Sequence, residues 1–292
     1  MLQIGSLLDN RYRIIRELGH HGRMSNVYYA INERSNMALI IKEIRDDGSE
    51  KYLFVKNSLI NEINVLKKLS HPSLQAIIDV IDIHDGFVVV MENIEGISLQ
   101  NLLTREGAQT EENVIKWSKQ LADVLWYLHN QNPSIIYRDM VPDHVILKPD
   151  GNITLTAFHS VKVFMNRAMV EDNIWIFCIM GYSAPEQFGG QSDARTDIYC
   201  LGATLYHLIT GHSPAERPYG IKPISYWIPQ YAGSSLEKII LKCTQINPSD
   251  RYQNCGDLIY DLEHYKDKKW IKTMIDKIRQ IKKHRSTDRG RS

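Results

Sequence analysis

The stretch YRDMVPDHVILKPDGNITLTAFHS, from Tyr137 to Ser160, decides the fold. A polar loop that contains Asp139 leads into two short β-type runs, Val145–Leu147 and Ile153–Leu155. A Pro-Asp-Gly-Asn sequence between the runs is typical of a turn. The pattern therefore predicts a loop followed by two short strands joined by a turn.

The part of the chain before this loop, residues 12–93, has mostly β-type patterns. Five short apolar runs predict strands, and the segment Leu53–Leu69 has apolar residues at helical spacing before a His-Pro stop. The predicted strands are Tyr12–Leu18, Val27–Ile31, Met37–Ile44, Ile77–Ile83 and Phe87–Met91. A His-Asp-Gly turn at residues 84–86 predicts that the last two form a hairpin.

After Gly96 the pattern becomes mainly helical. Thr110 begins a long amphipathic helix that runs through Leu128, and three further helices are predicted at Asp197–Thr210, Ser235–Gln245 and Gly256–Tyr265. We therefore expect an α+β chain with two lobes. A small β-rich lobe spans residues 1–93, a larger helical lobe spans residues 94–265, and a tail spans residues 266–292.

Composition excludes several classes of protein. With 43% hydrophobic and 24% charged residues, the 292-residue chain is expected to be soluble and globular. The apolar run Ile174–Met180 is far shorter than the ~20 residues of a membrane-spanning helix. The N-terminal residues have no secretory-signal pattern, and the four cysteines have no paired spacing. We expect a reducing, cytoplasmic environment and no disulfide framework.

Several short motifs follow one another at characteristic spacing. They are Leu39-Ile40-Ile41-Lys42, the helix segment from Glu62 to Pro72, Tyr137-Arg138-Asp139, Ala184-Pro185-Glu186, Asp197-Ile198-Tyr199-Cys200-Leu201-Gly202 and Arg251. Their order resembles the protein kinase superfamily, most closely the bacterial Ser/Thr kinases, over about residues 10–265. The resemblance implies a bilobal protein-kinase-like fold, with a small β-rich N-lobe and a larger, mainly helical C-lobe.

The resemblance also implies which residues would line a nucleotide site. These are Gly19, Gly22, Ser25, Val27, Ile40, Lys42, Glu62, Met91, Glu92, Ile94 and Ile146. Lys42 would bind nucleotide phosphates and Glu62 would hold that lysine in place. Met91, Glu92 and Ile94 belong to the hinge segment, whose backbone would bind adenine.

Two departures from the family pattern weaken the expected nucleotide site. The loop from Gly19 to Val27 has two glycines instead of three, with Ser25 near the third position, so it is either a phosphate loop or a plain β-turn. Ile40 stands where the family has a small alanine above the adenine ring. A larger side chain that overfills such an apolar pocket typically costs about 1–3 kcal/mol, which here would weaken nucleotide binding. We expect ATP binding to be weak at most.

The catalytic motifs depart further from the pattern. Asp139 matches the catalytic carboxylate, but Val141 replaces a lysine, and His144 and Ala157 replace the Asn and Asp that bind magnesium. Magnesium prefers hard oxygen ligands, so we expect no magnesium site. The sequence thus favours a pseudokinase. The alternative is an active Ser/Thr protein kinase with a remodelled site, in which His144 and His159 bind a softer metal such as Zn²⁺ or Mn²⁺.

The segment between Val161 and Tyr182 contains no Ser or Thr. Ile179 replaces the family's substrate-docking Thr, and the apolar residues around it either fold inward over the site or form a surface for a partner. The scaffold residues are kept: Glu186 and Arg251 would form a buried ion pair, and Asp197 would support the catalytic loop.

The tail is strongly basic, with 11 Lys and Arg against 3 Asp and Glu from Lys266 onward. Its apolar residues fall at helical spacing: Trp270, Ile271, Met274, Ile275, Ile278 and Ile281. Three interpretations remain open: a helix docked on the large lobe, a helix on an anionic membrane at the inner face, or a partner helix. We expect another protein as partner, such as an active kinase or signalling component, and no nucleic acid.

Overall fold

The computed structural model describes residues 1–21, 25–46, 48, 63, 67–156, 162–163 and 178–266. Most of the predicted helix Leu53–Leu69, including Glu62, lies outside these residues. So do Gly22, Ala157, His159, most of the Val161–Tyr182 segment, and the tail from residue 267.

The N-terminal part is a six-stranded antiparallel sheet with the order β1-β2-β3-β4-β6-β5. Its strands are β1 (Leu7–Leu8), β2 (Tyr12–His21), β3 (Ser25–Asn32), β4 (Met37–Arg45), β5 (Ile77–Ile83) and β6 (Gly86–Glu92). All five strands predicted from sequence are confirmed, most of them a few residues longer. The β5–β6 hairpin requires glycine at position 86, because a Cβ atom there would lie 2.0 Å from the Ile44 carbonyl oxygen.

Strand β4 divides its side chains between two environments, as the period of two along a strand requires. Leu39 and Ile41 are buried in a core cluster with residues of β2, β3 and β6. Ile40 and Lys42 therefore lie on the opposite face of the sheet, and Ile44, on that same face, belongs to the larger cluster that continues into the helical part. The sheet face that carries Lys42 is thus the one turned toward the second lobe.

The C-terminal part is mainly helical. Its helices are α1 (Leu99–Glu106), α2 (Glu111–His129), α3 (Ala194–Thr210), α4 (Ser235–Cys243) and α5 (Cys255–Glu263). The Thr110 hydroxyl accepts the Asn113 N–H and caps α2, as predicted. Helix α3 begins three residues earlier than predicted, because Asp193 caps it, and nearly all of its residues are buried.

Five short strands complete this part: β7 (Ile97–Ser98), β8 (Ile135–Ile136), β9 (Val145–Leu147), β10 (Ile153–Leu155) and β11 (Lys162–Val163). The β9–β10 hairpin confirms the prediction from the opening stretch. Sequence analysis did not predict α1 or the two-residue strands, since such short elements are specified by contacts with distant parts of the chain rather than by a local period. Helix α4 ends at Cys243, two residues before the predicted end.

Backbone hydrogen bonds of β10, in the β9–β10 hairpin, join the N-terminal and C-terminal parts. The Leu155 N–H donates to the Ser73 carbonyl oxygen (2.8 Å), and the Gln75 N–H donates to the Leu155 carbonyl oxygen (2.9 Å). These bonds fix β10 against the segment that leads into β5, so the loop before β9 faces the Lys42 side of the sheet. In the part of the chain that the structure describes, no helix is long and apolar enough to cross a membrane.

Candidate active site

Four of the nucleotide-site residues predicted from sequence share one face of the sheet. Val27 and Lys42 are directly opposite each other on β3 and β4, and Gly19 is opposite Val27 on β2. Ile40 is opposite Met91 on β6. Residues directly opposite in neighbouring strands point to the same face, so Val27, Ile40, Lys42 and Met91 line one surface. Ser25 pairs with Ile44 at the start of β3.

The Lys42 side chain is half-buried on this face of the sheet. Burial lowers the pKa of Lys42, and the negative charge of Asp139 acts in the opposite direction. Of the charges in the described part of the chain, Asp139 is the one that acts appreciably on this lysine. The structure thus brings together the sheet lysine and the loop carboxylate that sequence analysis selected separately.

The hinge backbone at Glu92 is already engaged within the protein. The Glu92 N–H donates to the Ala76 carbonyl oxygen (3.0 Å), and the Glu92 carbonyl oxygen accepts from the Gln75 side-chain amide (2.8 Å). Ile94 is partly buried two residues further on, and Ile146 lies beside the end of the hinge, because a Cβ at Gly96 would be 2.7 Å from its methyl group. Sequence analysis missed Gln75, which contacts the hinge only through the fold.

Asp197 holds the loop that carries Asp139. Its fully buried carboxylate accepts the Tyr137 N–H (2.8 Å) and the Arg138 N–H (2.6 Å) and lies 2.8 Å from Nε2 of His129. Arg138 has a positive φ of 67°, which is uncommon for a residue with a side chain. The charge-assisted bonds to Asp197 support this backbone conformation, and the predicted role of Asp197 is confirmed.

Asp139 and His144 form a close pair in the catalytic loop. The Asp139 side chain is almost fully buried. Nδ1 of His144 lies 2.8 Å from the Asp139 carbonyl oxygen and 3.4 Å from its carboxylate Oδ2. Donation to the carbonyl requires the proton on Nδ1. The imidazole therefore packs onto the loop at the position where the family has a magnesium-binding amide.

Val141 lies in an apolar environment. It is buried in a cluster with Tyr182, Ala184, Tyr199 and Ala203, where the family pattern has a lysine that neutralises phosphate. A cationic head group is therefore absent from this position, and apolar contacts with the segment that precedes α3 replace it.

The described residues do not fit a magnesium ion. The Asp143 carboxylate, a possible further ligand beside His144, accepts from the Ser98 hydroxyl (2.9 Å) and helps to fix the start of α1. Among the residues that the structure describes, no group of three or more His, Cys, Asp or Glu side chains could hold a metal ion. Asp139 supplies oxygen atoms, but its neighbour His144 supplies nitrogen, which magnesium does not favour.

The segment before α3 is tied to the large lobe by an ion pair. Arg251 contacts Glu186 through two parallel bonds, Nη1 to Oε1 (2.6 Å) and Nη2 to Oε2 (2.9 Å), and the Arg251 side chain is fully buried. This predicted pair is confirmed. Nearer the site, Ile179 and Met180 are 36% and 52% exposed, so these two apolar residues lie at the surface rather than inward.

A curled antiparallel sheet that carries a half-buried lysine, placed against a helical lobe whose loop presents an aspartate, defines a bilobal protein kinase fold. The family model described as "Protein kinase domain" matches residues 12–284. The chain therefore belongs to the protein kinase family.

Similar proteins include bacterial kinases. The chain is 28% identical over 272 residues to the serine/threonine-protein kinase PrkC of Bacillus subtilis, which covers 89% of this chain and 41% of PrkC. It is 30% identical over 281 residues to a probable serine/threonine-protein kinase of Clostridium perfringens, with 90% of this chain and 39% of that protein covered. The chain thus spans about two fifths of the length of these relatives.

Solved kinase structures have the same fold. The PknI kinase domain of Mycobacterium tuberculosis superposes with a TM-score of 0.71 at 22% identity, over 91% of this chain and 99% of that domain. A structure of Rad53 residues 1–466 in complex with AMP-PNP has a TM-score of 0.67 at 20% identity, over 85% of this chain and 64% of that one. At these identities the comparison establishes the fold.

Proposed function

We propose that the chain is a pseudokinase, a kinase-like domain that acts on another protein as a scaffold or allosteric regulator and binds Mg-ATP weakly or not at all. The observation that carries the proposal is the contact between His144 and Asp139, with Nδ1 2.8 Å from the Asp139 carbonyl oxygen. An imidazole packed onto the catalytic loop leaves no oxygen donor at this position for a second magnesium ion.

The electrostatics support the same conclusion. Phosphoryl transfer depends almost entirely on positioning and on stabilisation of charge. Loss of one preorganised charge contact commonly lowers the rate by ~10²–10³. Here Val141 is buried among apolar side chains, and Ala157 replaces the metal-binding carboxylate in the sequence. Asp139 and Lys42 remain, but neither can replace a cation that bridges the phosphates.

A residual ligand would be held without metal. Lys42, Ile40, Val27 and Met91 share one sheet face, so a nucleotide would meet one ammonium group and an apolar surface. The Glu92 carbonyl oxygen already accepts from Gln75, which leaves less of the hinge for adenine. These contacts favour weak, magnesium-independent binding.

The preserved scaffold suggests a role in binding another protein. The ion pair of Glu186 with Arg251 keeps the segment before α3 in a defined position, where Ile179 and Met180 are exposed. We propose a cytoplasmic protein as the partner, such as an active kinase or another signalling component, with this surface as its contact.

Thermal-shift titration tests the proposal. A ligand that binds only the folded state raises the melting temperature, by an amount that grows with the logarithm of ligand concentration over Kd. We expect the shift with ATP to be small and unchanged by magnesium. The triple variant Val141→Lys, His144→Asn, Ala157→Asp restores the family residues and should gain a magnesium-dependent shift, whereas the exposed control His84→Asn should not.

Activity assays test the alternative that the chain is an active kinase. Phosphate from labelled ATP should not be incorporated with Mg²⁺, Mn²⁺ or Zn²⁺. Robust incorporation with any of these ions, abolished by Asp139→Asn, would show that the chain is an active kinase with a remodelled site.

A further inference from the structure

Two exposed aromatic side chains, Trp126 of α2 and Tyr260 of α5, lie on neighbouring helices, and the half-buried His264 follows α5. On α5, Gly256, Tyr260 and His264 follow at intervals of four residues and so share one face. The Tyr260 and His264 rings are stacked, with centroids 4.3 Å apart. Trp126 of α2 lies beside Gly256, because a Cβ there would be 3.5 Å from its ring. We call Trp126, Gly256, Tyr260 and His264 the aromatic stripe.

The aromatic stripe is accessible to water. Trp126 is 39% exposed and Tyr260 is 57% exposed, although α2 and α5 pack closely against each other through their buried faces. Large aromatic side chains gain most when they are covered, so these two exposed rings on neighbouring helices favour a site for a covering segment.

Acidic residues border the aromatic stripe. Helix α5 carries Asp257, Asp261 and Glu263 and has no Lys or Arg between residues 255 and 263. On α2, Asp123 lies one turn before Trp126 and is 64% exposed. The surface is therefore aromatic at its centre and negatively charged around it, which favours an amphipathic, positively charged occupant.

We propose that the chain's own tail, residues 267–292, is this occupant, and that residues 267–281 pack on the aromatic stripe as an amphipathic helix. The tail carries 10 Lys and Arg against 3 Asp and Glu, which complements the acidic border. Its apolar residues Trp270, Ile271, Met274, Ile275, Ile278 and Ile281 recur at helical spacing.

Geometry and the family match agree with this assignment. The tail follows directly after α5, so its first apolar residue is only six positions beyond His264. As a helix, residues 270–281 would extend about 18 Å, which is enough to cover the nine-residue α5. The family match runs to residue 284 and so includes these apolar positions. The inference does not depend on the pseudokinase proposal.

Hydrogen exchange of the full chain tests the docking. We expect the amides of residues 270–281 to exchange at least about 10-fold more slowly than in a free peptide of the same sequence, since a short helix alone is marginal in water. The charge-inserting variant Ile271→Asp/Ile275→Asp should abolish this protection, and so should Tyr260→Ala combined with Trp126→Ala. The matched control Tyr226→Ala, at a residue that is 59% exposed on a different surface, should leave it unchanged.

If the tail packs elsewhere than on the aromatic stripe, the same hydrogen-exchange experiment gives a different result. Protection of the tail that is unaffected by Tyr260→Ala/Trp126→Ala would overturn the assignment, because the tail would then be covered elsewhere. Protection that disappears on dilution would assign the contact to a second copy. A tail that is unprotected in solution but protected on vesicles of phosphatidylserine and phosphatidylcholine would assign it to an anionic membrane.

Discussion

The C-lobe scaffold and the catalytic loop differ in what they have retained. In the scaffold, Arg251 meets Glu186 in a buried, two-bonded pair, and Asp197 accepts two backbone N–H groups. In the loop, Val141 joins an apolar cluster and His144 packs onto Asp139. The side chains that hold the loop in place match the family pattern, whereas Val141 and His144, at positions where the family has a phosphate-facing lysine and a metal-binding asparagine, do not. The difference is the one that the proposed pseudokinase role predicts.

The largest expected effect is at the scaffold ion pair. Arg251→Met leaves the largely buried Glu186 carboxylate without its cationic partner, which should lower the free energy of unfolding by roughly 3–5 kcal/mol. Chemical denaturation measures this directly. The matched control is Arg13→Met, which removes an ion pair to Glu33 whose side chains are 42% and 40% exposed and should cost about 0–1 kcal/mol. Equal losses in the two variants would contradict the buried pair's role.

The next prediction compares two aspartates of the same region. Asp197→Asn places an amide donor against buried N–H donors, so we expect a loss of roughly 2–3 kcal/mol. Asp139→Asn keeps the shape of the side chain and an oxygen atom that can face Nδ1 of His144, 3.4 Å away, so its cost should stay below about 1 kcal/mol. Denaturant midpoints of both variants decide the order. A larger loss at Asp139 would mean that this carboxylate is part of the scaffold.

The sequence predicted well those features that depend on local pattern. The alternation along Met37–Ile44 and the Thr110 cap correctly predicted β4 and the start of α2. The resemblance to the kinase family correctly predicted the ion pair of Glu186 and Arg251, 65 residues apart. These predictions are correct because each depends on a short local signal: the alternation of a strand, the capping residue of a helix, or a family motif of a few residues.

The contacts that change the site were not predictable in this way. Gln75 reaches the Glu92 carbonyl oxygen only because the segment before β5 is fixed against β10. The sequence showed that His144 replaces an asparagine, but not that its ring turns onto Asp139. The orientation of a single side chain depends on packing from several elements at once, and the sequence pattern of any one of them does not contain it.

The smallest expected effect is a pH dependence in the segment that links the two regions. Nδ1 of His207 on α3 lies 2.6 Å from the Tyr182 hydroxyl, which can donate to it when the ring is neutral. Burial lowers the pKa of His207 below its ordinary value of 6.5, the carboxylate of Glu216 acts in the opposite direction, and His212 adds a smaller lowering effect. Because the folded state disfavours the proton, stability should fall as the pH drops below 6.5.

Thermal unfolding at pH 7.5 and 5.5 measures this loss, with His207→Gln as the comparison because glutamine does not titrate. The wild-type chain should lose more stability between the two pH values than the variant does, since the other histidines titrate in both. Tyr182→Phe removes the hydrogen bond itself and should cost about 0.5–1.5 kcal/mol at pH 7.5. If wild type and His207→Gln lose the same amount, His207 does not couple the segment before α3 to pH, and the stability of that segment depends on the Glu186–Arg251 pair and its apolar contacts instead.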